Sequence, residues 1–547
     1  MAQRRLREDA LQASSTIPVS QQPAGAWTRF FLPSVSDLLF IALLFSLSCG
    51  SFAGRLLGDA DIGWHIRNGE QILLTHAVTR TDSFSSTMSG RPWYAWEWLY
   101  DAAIAAIHHV AGLNGVVFFA ALVVALPFTL VFRMILARGG DLLTTVLLLA
   151  LSMGAAAIHL FARPHVLSWL FAIVWFALLD SWDASDGIDS DRQSRRLLWL
   201  PPLMMLWVNV HGGFLTGFIL LPLYLASSLI CYVSAPADEK PAWLRKLRWL
   251  ASITGLALLA TLVNPYGYKL HVHIYEYLSD RFLMNHIQEF ASPNFHGAAE
   301  KCFAALLLIT ILVLASAQER PRISRLLVIV FAVGSGLYAS RNIPVSSLLL
   351  TVLISPPLSR SLAAAGNRAQ RSSAWRRFFS RWSSLGERMT SVQNSLTGHF
   401  WPGVTLAAGI LLCLHGGRFG SAQIMDAQFP AKRFPVQSVN SITQHGIRDP
   451  VFCPDYWGGY VIYRLYPQNQ VVVDDRHDLY GATFLKQYLK TEKGEPGWNE
   501  LLDDKQVTVV LEPAGSPLAN LLALTPGWKV AYEDNVGILF LRPRAGR

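Results

Sequence analysis

Long apolar runs recur along most of this chain, and they constrain its fold more than any other feature. Many of them have roughly 17–22 residues, the length at which an α-helix crosses a bilayer. Hydrophobic residues make up 52% of the chain and charged residues only 15%, which is less charge than a soluble protein of this size carries. The sequence therefore predicts a polytopic α-helical membrane protein.

About eleven membrane-spanning helices are predicted in a membrane domain at 37–420, after a polar cytoplasmic N-terminal tail at 1–36. A first outer loop at 58–98 follows the first span, and its apolar spacing predicts a short amphipathic helix. A second interfacial helix is expected at 99–111. The predicted spans are 37–57, 114–136, 142–161, 165–182, 197–209, 214–234, 249–264, 300–317, 324–340, 343–358 and 401–416.

The basic residues indicate an orientation. The net charge is +9, and most Lys and Arg fall in short connections between apolar runs. With the N-terminus in the cytoplasm, the basic connections all lie inside, which is the positive-inside pattern. The longest is a linker at 359–400, which contains WRRFFSRW and is expected to form an interfacial basic helix. This predicts a multi-pass membrane protein with its N-terminus inside, in contact with membrane lipids, and the positive charge requires no nucleic acid.

After Phe429 the composition becomes that of a soluble domain, so 429–547 is predicted to be a small extracytoplasmic α/β domain. The strand-like runs PVFCPD, QVVVDD and VTVVLEP alternate with helix-like segments. A final hairpin is expected, with Asp534 and Asn535 near its turn. The length of roughly 115 residues suits an independently folding unit.

The first outer loop carries candidate catalytic residues. Asp59 and Asp61 lie at the exit of the first span, His65 follows them, and Glu97 stands between two tryptophans near the end of the loop. Acidic side chains at a membrane surface cost solvation free energy, so a loop that retains them is a functional candidate.

Further polar clusters recur at the predicted outer ends of helices. Any one of them fits a helix cap or an interfacial anchor equally well. Together they would form a polar cavity at one face of the membrane. The clusters are Arg163-Pro164-His165, Asn209 to Gly213 with His211, Asn264 to Gly267, Gln288-Glu289 and Arg341-Asn342.

Several motifs together resemble a bacterial family of integral-membrane proteins that is itself similar to the GT-C class of membrane glycosyltransferases. They are GDADIGWHIRNGEQIL, RPWYAWEWL, ARPHVLSWLF, NVHGGFLTGF, NPYGYKL, IQEFASP, SRNIPV, DYWGGYVIYRL and VDDRHDLYG. The resemblance implies a GT-C-like fold and a sugar donor on polyprenyl phosphate. It also implies that a carboxylate at the start of the first outer loop acts as base or metal ligand, a position that Asp59 or Asp61 matches. The resemblance names neither the sugar nor the acceptor, which can be a glycan, a lipid or a protein.

Sugar transfer from a lipid phosphate needs a base for the acceptor hydroxyl and cationic donors for the departing phosphate. Asp59 or Asp61 can supply the base. Candidates for substrate binding are His65, Arg163, His165, His211, Glu289 and Arg341. A divalent cation, Mg²⁺ or Mn²⁺, bridging Asp59, Asp61 and Glu97 is an option, since hard cations prefer carboxylate oxygens.

Two other functions remain open from the sequence: a transporter or flippase for a lipid-linked or anionic substrate, and a non-catalytic membrane scaffold or sensor. A transporter more often has inverted repeats and charged residues near mid-membrane. The acidic run from Asp474 to Asp478 follows a strand-like segment. It either caps the next helix, or binds the acceptor, or closes over the membrane cavity.

Overall fold

The computed structural model describes residues 26–49, 53–185, 188–317, 319–368, 374–396 and 399–543. Most of the predicted N-terminal tail, residues 1–25, lies outside this part, as does a piece of the basic linker, 369–373. The described chain is a bundle of α-helices followed by a small sheet with its own helices.

The helices up to residue 414 form the bundle and the loops at its ends. They are α1 (Ala26–Phe31), α2 (Val35–Ser48), α3 (Ala53–Leu56), α4 (Asp61–Thr75), α5 (Trp98–Ala137), α6 (Leu142–Ala156), α7 (His165–Asp183), α8 (Ile188–Arg196), α9 (Leu200–Val208), α10 (Leu215–Ser234), α11 (Lys240–Ala260), α12 (Lys269–Ser279), α13 (Arg281–His286), α14 (Ala298–Ser316), α15 (Ile323–Tyr338), α16 (Ile343–Arg368), α17 (Ala374–Ser395) and α18 (Phe400–Leu414). Short 3₁₀ turns lie at Ala157–His159, Leu197–Trp199, Gly212–Phe214, Gln288–Phe290 and Ser340–Asn342.

Seven helical segments in the described part are long and apolar enough to cross a membrane, against the eleven spans expected. The bent pair Arg377–Ser395 and Phe400–Leu414, with an angle of 71°, gives an eighth if it counts as one span. The four remaining predicted spans became α9, α11, α15 and α18. The helix α9 has only nine residues, and α11 begins with a basic turn. The hydropathy of the sequence around them therefore overstated the length of the apolar helix in both cases.

The first span and the second predicted interfacial helix also differ in detail from expectation. The first helix ends at Ser48 rather than near residue 57. A capping box fixes its start, since Ser34 Oγ accepts from the Asp37 N–H and the Asp37 carboxylate accepts from the Ser34 N–H. Residues 99–111 are the first part of α5, and Gly112 breaks that helix with a φ of 59°.

The C-terminal part forms a four-stranded sheet in the order β3-β4-β6-β5. β3 is parallel to β4, with Val451 opposite Val509, and the β5–β6 hairpin turns at Asp534 as the sequence predicts. The QVVVDD segment forms no strand of its own, and Val471 makes single bridges to Ser85 and Val451 instead. The elements are β1 (Arg418–Phe419), β2 (Ala422–Gln423), β3 (Val451–Phe452), β4 (Val509–Pro513), β5 (Lys529–Glu533), β6 (Gly537–Leu541), α19 (Val436–Gln444), α20 (Asp455–Leu465), α21 (His477–Glu492), α22 (Glu500–Asp504) and α23 (Pro517–Leu524).

The first loop and the C-terminal part share one apolar core. Trp457, Tyr460 and Val471 belong to the same cluster of buried side chains as Trp64 and Phe84 of the loop. Glycines on both sides let the backbones of α4 and α20 touch, because a Cβ at Gly63 would collide with the carbonyl oxygen of Gly459. The C-terminal part is therefore held directly over the first loop.

Candidate active site

One cavity of about 830 Å³ collects the polar clusters that the sequence places at helix ends. Eight of the nine predicted site residues line it, and the ninth, His65, is buried behind Glu97. The eight are Asp59, Asp61, Glu97, Arg163, His165, His211, Glu289 and Arg341. Residues of the C-terminal part line the same space, namely Tyr456, Asp475, Arg476, His477 and Asp478.

Arg163 is the electrostatic centre of the cavity. Its guanidinium contacts Asp61 at 2.6 Å, Glu289 at 3.0 Å and Asp59 at 3.2 Å. Burial opposes its charge, but the carboxylates of Asp59, Glu289 and Glu97 outweigh burial and hold the pKa of Arg163 above its usual value. Burial likewise opposes the charge of Glu289, while Arg163 and Arg341 hold the pKa of that carboxyl well below its usual range. Arg163 and Glu289 therefore stay charged.

Asp59, Asp61 and Asp475 form an acidic group in which one carboxylate oxygen from each lies within 4.8 Å of the others. Asp61 is buried, and its Oδ1 has no hydrogen-bond partner among the described residues; the same is true of Asp475 Oδ1. Burial, and then the charge of Asp59, raise the pKa of Asp475 to about 7. Three carboxylates this close together, two of which have an oxygen without a hydrogen-bond partner in the described part of the chain, fit a hard divalent cation such as Mg²⁺ or Mn²⁺.

Glu97 does not belong to this acidic group, so of the three residues expected to hold a metal, Asp59 and Asp61 lie together in it, beside Asp475. The Glu97 carboxyl faces two imidazoles, with His65 Nε2 at 3.7 Å from Oε2 and His211 Nε2 at 3.7 Å from Oε1. Burial, and then the Asp101 carboxylate, raise the pKa of Glu97 to about 8, against the opposing charge of Arg163. Glu97 therefore binds a proton more readily than an ordinary carboxylate.

Behind Glu97 lies a fully buried polar pair. His65 Nδ1 and Asp101 Oδ1 are 2.6 Å apart, and Asn68 Nδ2 donates to Asp101 Oδ2 at 2.6 Å. Burial, and then the charge of Arg163, hold the pKa of His65 well below its usual value, so the imidazole is neutral. His65 is thus placed to act on Glu97 and not directly on a molecule in the cavity.

His165 and His211 also line the cavity, with ring centroids 6.4 Å apart. His165 Nε2 donates to the carbonyl oxygen of His159 at 2.7 Å. His211 Nδ1 accepts from the Gly213 N–H at 2.9 Å, which leaves the proton on Nε2, facing Glu97. Burial, and then Arg341, hold the pKa of His211 well below its usual value, so this ring offers a neutral polar group at a fixed position.

Arg341 completes the set. It lies over the Phe290 ring at 4.4 Å, and no carboxylate of the described residues forms an ion pair with it. It lines the same cavity as Arg163, so the two arginines face a common space. Arg341 is the guanidinium best able to pair with an anion that enters.

The roles of Asp475 and Asp101 have no local signal in the sequence. Asp475 belongs to the acidic run that the sequence left open between a helix cap and a site residue. Asp101 lies in an apolar helix, four residues after Glu97, and only that helical spacing would have placed both on one face.

No family model and no curated protein matches the chain in sequence. In structure, the fold is that of the GT-C class of membrane glycosyltransferases. The oligosaccharyltransferase of Archaeoglobus fulgidus, solved with a tethered acceptor peptide, superposes with a TM-score of 0.52 at 12% identity, over 88% of this chain and 68% of that one.

A second neighbour is ArnT from Cupriavidus metallidurans in the apo state, with a TM-score of 0.50 at 14% identity over 92% of this chain and 96% of that one. ArnT bound to undecaprenyl phosphate superposes with a TM-score of 0.48. At these identities the likeness establishes the fold alone.

Proposed function

We propose that this protein is a glycosyltransferase that moves a sugar from a polyprenyl-phosphate donor to an acceptor hydroxyl at the outer face of a bacterial inner membrane. One observation carries the proposal: carboxylates, guanidinium groups and imidazoles from seven separate segments of a GT-C fold converge on one cavity between the bundle and the C-terminal part. Such convergence of titratable groups is typical of a catalytic site.

An apolar side of the cavity suits the lipid chain of the donor. Leu215 and Ile219 of α10 line it together with Phe331 and Gly334 of α15. Tyr338 also lines it and is largely exposed on the outside of the bundle, so the cavity reaches the surface that lipid would cover. No side chain or backbone atom lies within 4 Å of a Cβ placed on Gly334, which leaves room for a chain.

The polar end suits the donor phosphate and a metal ion. Arg341 would pair with the phosphate, and the Nε2–H of His211 is a further candidate donor. Asp59, Asp61 and Asp475 would hold a divalent cation, Mg²⁺ or Mn²⁺, which would supply positive charge for the phosphate. Arg163 also contacts both carboxylates directly, Asp59 at 3.2 Å and Asp61 at 2.6 Å.

This arrangement moves the proposed base from Asp59 or Asp61 to Glu97. A carboxylate paired with a guanidinium has little affinity for a proton, whereas the pKa of Glu97 is about 8. As the acceptor oxygen bonds to the anomeric carbon, its proton passes to Glu97. The bond between that carbon and the phosphate oxygen breaks, and the phosphate leaves with the electron pair.

The test is a transfer assay on the purified full-length protein in lipid nanodiscs, with a panel of polyprenyl-phosphate sugars and membrane-extract acceptors. We expect one donor to lose its sugar in step with product formation. Gly334→Phe should raise the donor KM about tenfold or more by filling the lipid path. Its matched control is Gly255→Phe on α11, where the added side chain also meets open space but lies outside the cavity.

A second pair of variants tests the polar end. Asp61→Asn should lower turnover by about 10²–10⁴-fold, the range for loss of a group that acts on the transition state. Asp504→Asn, an exposed aspartate outside the cavity, should leave turnover unchanged. If no donor is consumed while intact lipid-linked sugar crosses the bilayer, the protein is a flippase and the proposal is wrong.

A further inference from the structure

The buried pair of His65 and Asp101 has no part in the reaction as described above. Asp101 borders the cavity but has no exposed surface, and His65 has 1% and does not line the cavity, so both are shielded from solvent. Removing a carboxylate and an imidazole from water is costly unless their hydrogen bonds are satisfied. Here both Asp101 oxygens are engaged, one with His65 Nδ1 and the other with Asn68 Nδ2, each at 2.6 Å.

The neighbours of Asp101 fix the orientation of the imidazole. Because Asn68 donates to Oδ2, Oδ1 is the oxygen left for His65, and an ionised Asp101 accepts there from Nδ1–H. The proton on Nδ1 then leaves a lone pair on Nε2, and that atom faces the Glu97 carboxyl at 3.7 Å. The carboxylate of an Asp–His pair selects a tautomer in the same way in other enzymes.

We propose that His65 and Asp101 are positioning residues of the proton-transfer step, with Asp101 holding His65 in the tautomer whose Nε2 accepts a hydrogen bond from Glu97 once Glu97 has taken the acceptor proton. The inference rests on the proposed function, because it deepens the role of Glu97 as base. The proton stays on Glu97 through sugar transfer, and its O–H donates to Nε2. His65 therefore strengthens the base by stabilising its protonated form.

The charged and titratable groups around Glu97 come from five segments. His65 faces it from α4, Asp101 from α5 and His211 from the turn before α10. The guanidinium groups of Arg163 and Arg341 act on it from farther away and lower its pKa. Of these, His65 and Asp101 favour the protonated form of Glu97, so a change in either should move its titration to lower pH.

The first variant is Asp101→Asn. Asn68 still donates to the Oδ2 position, so the new amide turns its oxygen there and its NH₂ toward His65 Nδ1. His65 must then carry its proton on Nε2, where it donates to Glu97 and favours the charged form. The rate rises with pH as Glu97 ionises, with a midpoint near pH 8 in the wild type. We expect kcat to fall about 100-fold, the donor KM to change little, and the midpoint to fall by about one pH unit or more.

Two more variants separate the tautomer from the charge of Asp101. His65→Gln keeps that charge and should still lower kcat and the midpoint, while His109→Gln, exposed on the same helix as Asp101, should change neither. Asn68→Asp combined with Asp101→Asn exchanges the two partners. The carboxylate introduced on α4 would accept from the amide NH₂ introduced on α5. The amide oxygen would then accept from Nδ1–H, and both kcat and midpoint should return toward the wild type.

The readout includes an infrared pH titration of the protonated Glu97 carboxyl, assigned by its loss in Glu97→Gln. This titration needs no substrate, so it stands even if no donor is found and the proposed function fails. A His65→Gln protein with the wild-type titration midpoint and kcat would overturn the inference. An exchange variant that folds but behaves like Asp101→Asn would overturn it as well. Should Asp101→Asn fail to fold, His65→Gln alone decides.

Discussion

At the scale of single residues, Arg163 determines the charge state of the cavity. It neutralises part of the charge of three carboxylates from two segments, Asp59 and Asp61 in one and Glu289 in the other. One guanidinium cannot balance three carboxylates, so the group retains net negative charge, and Asp475 approaches it from the C-terminal part. Excess carboxylate in a buried site favours a bound cation.

Asp475→Asn tests that conclusion. The change removes one anionic ligand, so we expect Mn²⁺ affinity of the full-length protein to fall by at least about tenfold. Electron paramagnetic resonance of free Mn²⁺ measures the affinity, with Asp504→Asn as the control. Equal Mn²⁺ binding by Asp475→Asn and the wild type would exclude Asp475 from the ligands.

The sequence predicted which residue types form this site and at which helix ends they lie, but it did not predict which of these side chains contact one another. Polar groups at the ends of apolar runs are detectable because they interrupt hydropathy, and this identified Arg163, His211 and Arg341. Which side chains come together in the cavity depends on contacts between segments hundreds of residues apart, such as the contact between Asp59 and Asp475. No periodicity in the chain encodes such a contact.

At the scale of elements, α4 is the central connection between bundle and C-terminal part. It presents Gly69 to the backbone of Asp101 on α5 and Gly63 to Gly459 on α20, so three helices meet at glycine contacts. This explains the WGGY sequence of α20, since Gly458 packs against Asp474 in the same way. Hydropathy predicted the helices, but it did not predict these close approaches, because a glycine within a helix does not indicate which other segment packs against it.

Gly459→Ala tests the helix contact. The added methyl group would overlap the carbonyl oxygen of Ala60. We expect a loss of about 1–3 kcal/mol of stability, the usual cost of overpacking, and a lower melting temperature of the full-length protein. Gly255→Ala, which meets open space, should not lower it. A Gly459→Ala protein as stable as the wild type would mean that α4 and α20 separate easily.

At the scale of the whole molecule, the C-terminal part and the first loop depend on each other. Arg476 is buried between Asp474 at 2.7 Å and Asp82 of the loop at 2.8 Å, and it lies over the rings of Phe84 and Trp93. Backbone hydrogen bonds join Val471 to Phe84 and Ser86. Composition predicted an independent unit after Phe429 because it measures solubility and cannot detect a shared core.

The fragment from Phe429 to Arg547 should therefore fail to fold alone. Without the loop, Arg476 loses Asp82 and both aromatic rings, and the side chains of the shared core, such as Trp457, Tyr460 and Val471, lose part of their buried contacts. Exposing one large apolar side chain to water costs about 1.5–3 kcal/mol, and several together are a large part of the stability of a small domain, which is about 5–15 kcal/mol. We expect no cooperative thermal transition by circular dichroism and strong binding of a hydrophobic dye. A sharp transition in the fragment would show that the domain folds first and docks later. In that case Asp475 would reach the cavity by docking, and the acidic group would assemble only in the docked state.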